Sequence, residues 1–497
     1  MKTEKITVNE LFSGIGAQVS ALERLGIPCE IKHTSDIDHN AVLAYASIHC
    51  GLTEDLINTY AEYPAREEMA RQLTEVNLGY DFQKNKPYNW YRFVNSKSKE
   101  LEKYWLANKL SRNLGDISKL EHLDYADFWT YSFPCTDISV AGKKEGIKQG
   151  QTRSGLLYEV QRLLERANQM LTLPKYLMLE NVKNLVGKKF KPQFDQWVAW
   201  LDELGYNTYW KVLNAKDYGV PQNRERVFAI SIRKDIDDGK FEFPQPFDNG
   251  VRLKDVLEDN VDEKYYLSKD IQNRLIITDE TLTKNIIDTT KPEYRSIGQR
   301  DLVYSEKSIM GTLVATDYKQ PKQILETNRC IQVGNLNYYN YDKMNRVYSK
   351  GGCSPALEIM QGGNRQPKIA EPIAYVKEAI KKGYAEIYEG DSVNLEQPNS
   401  KTRRGRVGKG CAQILTTSCN QAVIEPEIKS LRVRKLTPKE CYKLMGFTDK
   451  QFDRSQAFSS DSQLYKQAGN SIVVDVLYYI FGKLFEVDIE TRKETEC

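Results

Sequence analysis

One pattern near the start of the chain limits its architecture more than any other. The apolar run Ile6-Thr-Val-Asn-Glu-Leu-Phe12 leads into Ser13-Gly-Ile-Gly-Ala17, and a helical period follows from Gln18 to Leu25. Strand, glycine turn and helix in that order form the opening unit of an open α/β sheet, whose ligands lie beyond the carboxyl ends of the strands. Gly14 and Gly16 permit a tight turn and let a ligand approach the helix N-terminus closely. No Gly-Lys-Ser/Thr follows, so the turn is not a phosphate-binding P-loop. Val19 stands where a dinucleotide-binding fingerprint has its third glycine, which counts against a nicotinamide-dependent oxidoreductase.

The same unit recurs with a reactive residue at its turn. Phe128 to Phe133 reads as a buried strand running into Pro134 and Cys135. Proline lacks a backbone donor and ends the strand, so the cysteine opens a loop. That loop, 136–153, holds three glycines and the cations Lys143, Lys144, Lys148 and Arg153, which suits a polyanion. A packed cysteine in a surface turn would explain the Pro-Cys pair alone equally simply. A further strand, from Tyr176, ends at Glu180-Asn181-Val182, and Arg224 and Arg226 flank Glu225 in an alternating stretch. The bland alternatives are a capping glutamate and a surface ion-pair ladder. Another candidate strand ends at Asp36-Ile37-Asp38, with Asp36 near the distance from the glycine turn at which an acid meets a ribose hydroxyl. Gly115-Asp116-Ile117 offers a second acid in a loop.

At 497 residues the chain has room for two or more domains. A formal charge of +3 does not by itself demand a nucleic-acid partner, so local clusters must carry that case. The densest is Lys401-Thr-Arg403-Arg404-Gly-Arg406-Val-Gly-Lys409. Nine cysteines without a C-x-x-C pair, and four histidines, argue against structural zinc and fit a reducing compartment. The apolar stretch 472–485 is interrupted by Asp475, Gly482 and Lys483 and reads as a core helix, not a membrane span. A cytoplasmic protein is expected. Residues 51–112 are polar and helix-prone, and read as a helical insertion. Between about 255 and 430, three strand–turn–strand units repeat: 311–324, 354–369 and 412–424. Thr437, Pro438 and Glu440 form an N-terminal helix signature.

In order along the chain, these stretches resemble the DNA cytosine-5 methyltransferases. Phe12-Ser-Gly-Ile-Gly16 looks like that family's first cofactor motif, Pro134-Cys135 its nucleophile, Glu180-Asn-Val182 its glutamate and Gln222-Asn-Arg-Glu-Arg226 its arginine motif. Residues 434–447 look like the stretch that supports the recognition domain, and Gly469-Asn470-Ser471 like the last motif. The order is the family's, although Thr136-Asp137 and Ala17 depart mildly from its pattern.

The resemblance implies an α/β, Rossmann-like S-adenosylmethionine-dependent domain over 1–255 and 462–497. It also implies a smaller β-rich target recognition domain over 256–461, with 432–447 included. It assigns catalysis to Cys135, Glu180, Arg224 and Arg226. The cofactor site would comprise Phe12, Gly14, Gly16, Asp36, Ile37, Asp116, Ile117, Pro134, Asn470 and Ser471, with Ile37 where an aromatic residue is common. DNA would meet Arg403, Arg404, Arg406, Lys143 and Arg153. The expected reaction moves a methyl group from S-adenosylmethionine to C5 of a flipped cytosine in duplex DNA, through a Cys135–C6 bond and without a metal. A thiol activated by nearby cations is expected. A monomer is expected, with a cognate restriction endonuclease acting independently. An RNA cytosine methyltransferase and an inactive DNA-binding regulator are the competing classes. The long recognition region counts against the first, and the intact cysteine, glutamate and arginine against the second.

Overall fold

The computed structural model describes residues 5–81, 86–135, 137–138, 146–147, 150, 152–251, 255–256, 258, 261–265, 437–487 and 489, with residue 345 and short strands between 286 and 435. Six strands form the main sheet. They are β1 (Ile6–Leu11), β2 (Cys29–Ser35), β3 (Phe128–Tyr131), β4 (Tyr176–Val182), β5 (Tyr206–Asn214) and, after the two-residue β6 (Gln222–Asn223), β7 (Glu225–Arg233). Their order is β2-β1-β3-β4-β7-β5. The first four run parallel, and β7 is antiparallel to both of its neighbours. This is the expected Rossmann-like α/β architecture.

Register decides where the chemistry can sit. Leu11 pairs with Ser35 on one side and Tyr131 on the other, and Tyr131 pairs with Leu179. Four parallel strands thus end in one row. Phe12, Asp36, the 132–135 turn and Glu180 leave the sheet along a single edge, although they lie far apart in sequence.

The strands alternate between two apolar faces, as a sheet covered on both sides requires. Val8, Phe128, Met178, Phe228 and Ile230 face one core; Leu11, Trp129, Tyr131, Leu177, Leu179 and Val227 face the other. The second face is covered by α6 (Leu157–Gln169) and α7 (Lys191–Leu204). The first is covered by α1 (Ala17–Leu25) and by a C-terminal group: α8 (Pro438–Lys443), α9 (Asp449–Gln456), α10 (Asp461–Asn470) and α11 (Val474–Leu484). Phe481 of α11 meets Phe128 edge-on at 5.4 Å, and Asp475 binds Arg24 of α1 at 2.9 Å. The last helix therefore packs beside the first. Thr437 and Glu440 form the reciprocal cap that their spacing announces. Helices α8 and α9, grouped by sequence with the recognition region, have their buried side chains in this same core.

The insertion is helical, as its composition suggests, with α3 (Glu54–Thr59), α4 (Arg66–Glu75) and α5 (Glu100–Leu110). It builds a third core with α2 (His39–His49) around Trp90, Leu101 and Leu106. Within the insertion's segment Tyr88-Asn-Trp-Tyr-Arg92, Trp90 is buried in this core and Tyr91 is exposed. Among the repeats, the later half of each unit contains a described strand: Gln323–Leu325, Lys368–Ala370 and Gln421–Val423. The earlier halves lie outside the described residues except at Ser354–Pro355.

Candidate active site

The glycine turn is a run of left-handed backbone, with φ of 58° at Phe12, 57° at Gly14 and 78° at Gly16. A Cβ on Gly16 would lie 2.5 Å from His49 Nε2, so helix α2 makes glycine necessary there. A Cβ on Gly14 would meet no atom within 4 Å. The turn is tied to the end of β2: Phe12 N donates to the Ser35 carbonyl at 2.7 Å, and Gly14 N to Asp36 Oδ2 at 2.9 Å. The other oxygen of Asp36 accepts from Asp38 N at 2.8 Å. Each carboxylate oxygen keeps a second lone pair, so Asp36 can still accept from a hydroxyl. Burial, with Asp38 adding to it, pushes Asp36 up to about 6. Asp38 has a different task. Its side chain caps α2 and binds Lys466 of α10 at 2.5 Å.

In the loop before β3, Asp116 caps a short 3-10 helix, Ile117–Lys119. Its Oδ1 accepts from Ser118, and its Oδ2 from the Asn77 amide at 2.8 Å. Ile117 is buried. Ile37 gives its carbonyl to Gly79 N. Asn470 is exposed at the end of α10, and Ser471 follows it, buried.

The Pro-Cys turn is clamped by backbone acceptors. Asn181 donates to the Phe133 carbonyl at 3.0 Å, Ser154 Oγ to the Pro134 carbonyl at 2.7 Å and Asn184 to the Ile138 carbonyl at 2.5 Å. Ile138 N closes the turn onto the Cys135 carbonyl at 3.1 Å. Glu180, one residue before Asn181, pairs with Arg226 Nε at 3.2 Å across the antiparallel β4–β7 seam. Cys135, Glu180, Arg226 and Arg224 feel one another's charge.

Burial raises the Glu180 carboxyl despite Arg226 and Arg224, which both pull it down. The Cys135 thiol was expected to be lowered, and this is corrected. Burial pushes it up, Glu180 adds to that, and the two arginines only partly offset it. Desolvation of the thiolate outweighs the nearby cations.

Arg224 sits in the break between β6 and β7 and is 4% exposed. Its guanidinium donates to the carbonyls of Gly469 at 3.2 Å and Ser471 at 2.8 Å. It thus joins the arginine motif to the last motif. Arg153 is exposed at the start of the 3-10 helix Arg153–Leu156. Lys143, Arg403, Arg404 and Arg406 lie outside the described residues.

Sequence reasoning named the acids and the thiol but not Ser154, Asn184, Asn77 or Lys466. These residues act on backbone carbonyls or on other side chains' carboxylates. Only Asn77 carried a signal, because Asn-Leu-Gly at the end of a helical run reads as a C-terminal cap.

Comparison with known proteins decides the family. The model for the C-5 cytosine-specific DNA methylases matches residues 81–486. The chain belongs to that family. It is a DNA cytosine-5 methyltransferase, and S-adenosylmethionine is the methyl donor of such enzymes. It is similar to the type II methyltransferase M2.ScrFI of Lactococcus lactis subsp. cremoris, at 32% identity over 97% of this chain and 99% of the relative. The orphan methyltransferase M.SPBetaI of Bacillus phage SPbeta is 28% identical over 99% of this chain and 100% of its own length. The orphan methyltransferase M.SssI of Spiroplasma monobiae is 36% identical over 63% of this chain and 81% of the relative. Among the described residues no helix is long and apolar enough to cross a membrane, and no cluster of metal-ligating side chains occurs.

Proposed function

We propose that this methyltransferase acts on a cytosine swung out of duplex DNA, with Cys135 as nucleophile and Glu180 as proton donor. The observation that carries this is the common edge of the sheet. There a clamped Pro-Cys turn faces a buried glutamate whose pKa is raised and which is paired to Arg226. Cytosine C5 is a weak nucleophile. Attack of the Cys135 thiolate on C6 breaks the C5–C6 double bond and places its electrons on C5. Glu180, whose neutral form burial favours, gives its proton to N3 as charge builds on the ring. Arg226 holds O2 with a fixed cation where negative charge gathers.

S-adenosylmethionine would supply an electrophilic methyl group to that electron pair, its S–CH3 bond breaking with the electrons kept on sulfur so that the thioether leaves. Loss of the C5 proton to solvent then restores the C5–C6 double bond and expels Cys135 as the thiolate, and the N3 proton returns to Glu180. Flipping of the target base is the general device by which DNA methyltransferases reach it. The 136–153 loop, rich in glycine and lysine, would close over that base.

The donor's chemistry fits the residues present. Ribose hydroxyls and an adenine amine are hydrogen-bond donors, and the carboxylates of Asp36 and Asp116 are acceptors suited to them. Phe12, Gly14, Gly16, Ile37, Ile117, Pro134, Asn470 and Ser471 complete its wall. Arg224 acts by fixing the 469–471 turn. Residues 256–436 would read the DNA sequence, and 437–461 would belong with the catalytic core into which they pack. The enzyme would work as a monomer in the cytoplasm. The type II name of one relative favours pairing with an independent endonuclease, which the orphan relatives do without.

Bisulfite sequencing of plasmid DNA from an expressing host tests the activity. Protected cytosines in one sequence context are expected, and none with Cys135→Ala. A host methylated equally by both proteins would refute the reading.

A further inference from the structure

The insertion 51–112 does more than fill its own core. Helix α4 ends in a turn, 76–80, that reaches both acid-bearing loops of the proposed cofactor pocket. Toward one side, Gly79 N donates to the Ile37 carbonyl at 2.6 Å, one residue after Asp36. Toward the other, Asp116 N donates to the Val76 carbonyl at 3.0 Å, and the Asn77 amide donates to Asp116 Oδ2 at 2.8 Å.

The turn is built for this position. Asn77 is left-handed, at φ 59°, a conformation that asparagine tolerates better than most residues. Leu78 is buried, and its carbonyl accepts from Trp90 Nε1 at 2.9 Å, which anchors the turn to the insertion's core. Opposite Val76 stands Gly115, where a Cβ would lie 1.9 Å from the Val76 carbonyl oxygen. Gly79 is left-handed too, and a Cβ there would crowd His39 and Tyr88 at 3.0 Å. Two glycines on facing loops thus permit an approach that side chains would block.

We propose that the 76–80 turn is the adenosine-side wall of the donor pocket, and that Asn77 is a positioning residue that aims Asp116 at the adenine amine. This rests on the assignment of Asp36 and Asp116 to the donor. Asp116 Oδ1 is occupied by Ser118 N and Oγ at 3.0 and 2.7 Å, so the orientation of Oδ2 governs what the carboxylate can still accept. The Asn77 amide sets that orientation. Since Ile37 offers no aromatic ring, orientation of the purine falls more heavily on the hydrogen-bonding edge.

Calorimetry of the full chain with S-adenosylhomocysteine, and with adenosine alone, tests this. Asn77→Gly keeps the left-handed backbone accessible and removes only the amide. It should weaken both ligands by roughly 10-fold, in the range of one hydrogen bond to a charged group. The KM for S-adenosylmethionine should rise in step, with kcat at saturation and affinity for duplex DNA unchanged. Asn77→Asp, which presents an acceptor in place of the donor, should lose more.

In an Asp116→Ala background, Asn77→Gly should change nothing further, because its effect runs through that carboxylate. Wild-type affinity in Asn77→Gly, or an equal loss with and without Asp116, would overturn the proposal. Failure of the unaltered chain to bind S-adenosylhomocysteine would overturn the donor-site assignment together with it.

Discussion

Burial drives the Cys135 thiol and the Glu180 carboxyl toward their neutral forms together, but the proposed chemistry needs opposite things from them. A neutral carboxyl is ready to give its proton to N3. A neutral thiol is not ready to attack. Arg226, paired to Glu180 and pulling the thiol down, is the residue placed to reconcile the two. The expected kcat/KM profile is therefore a bell. Its acid limb reports formation of the thiolate, and its alkaline limb loss of the Glu180 proton. Glu180→Gln should lower kcat by ~10²–10⁴-fold, because an amide can hold the base but cannot protonate it. It should also erase the alkaline limb and leave activity rising with pH. A bell of unchanged shape in the variant would give the proton to another group. Arg224 has contacts that its local sequence does not announce. Its spacing from Arg226 puts both arginines on one strand face, and its guanidinium also donates to the carbonyls of Gly469 and Ser471. Backbone acceptors that distant in sequence leave no trace in the residues near Arg224.

At the scale of elements, β1 carries an ionisable carboxyl through the middle of the fold. Glu10 is fully buried, and Tyr45 of α2 donates to it at 2.5 Å. Burial pushes its carboxyl from 4.5 up to about 7. The folded chain then keeps a proton that the unfolded chain releases between those two pH values. Stability should fall as pH rises through that window and level off above about 7. Glu10→Gln keeps the shape and should flatten this part of a plot of Tm against pH. An unaltered slope would mean that the carboxyl titrates normally. The order of strands and helices around β1 was legible in the sequence, because each apolar run ends at a glycine, a proline or a polar residue. The placement of α8 and α9 was not. Their buried residues, Tyr442 and Phe452 among them, sit beyond a long β-rich region but pack on the first core. Nothing in a local pattern tells which core an apolar face will join.

Across the whole molecule, one row of strand ends gathers residues from 12 to 180, and the C-terminal helices return to cover one face of the same sheet. The six motifs were readable because each couples a turn signal to a reactive side chain, and their order supplied what no single motif could. The insertion was readable only as helical. Its hydrogen bond to Asp116 depends on how a turn at its helix end meets a loop about 40 residues later. For DNA, the case rests on clustered charge. Replacing Arg403, Arg404 and Arg406 with alanine should weaken binding to all duplexes and reduce the slope of log K against log salt by ~0.9 for each phosphate no longer neutralised. An unchanged slope would remove this run from the interface.

The proposed mechanism stands or falls on a bond between Cys135 and the target base, and a covalent trap reads that bond directly. Fluorine at C5 cannot leave as a proton does, so duplex DNA with 5-fluorocytosine at the target should halt the reaction after methyl transfer. On a denaturing gel, the labelled duplex should run bound to the protein only when S-adenosylmethionine is present. Cys135→Ala should give no adduct while still binding DNA, and Cys135→Ser little, since a hydroxyl is far harder to deprotonate than a thiol. An adduct that persists in Cys135→Ala would place the nucleophile elsewhere and contradict the mechanism.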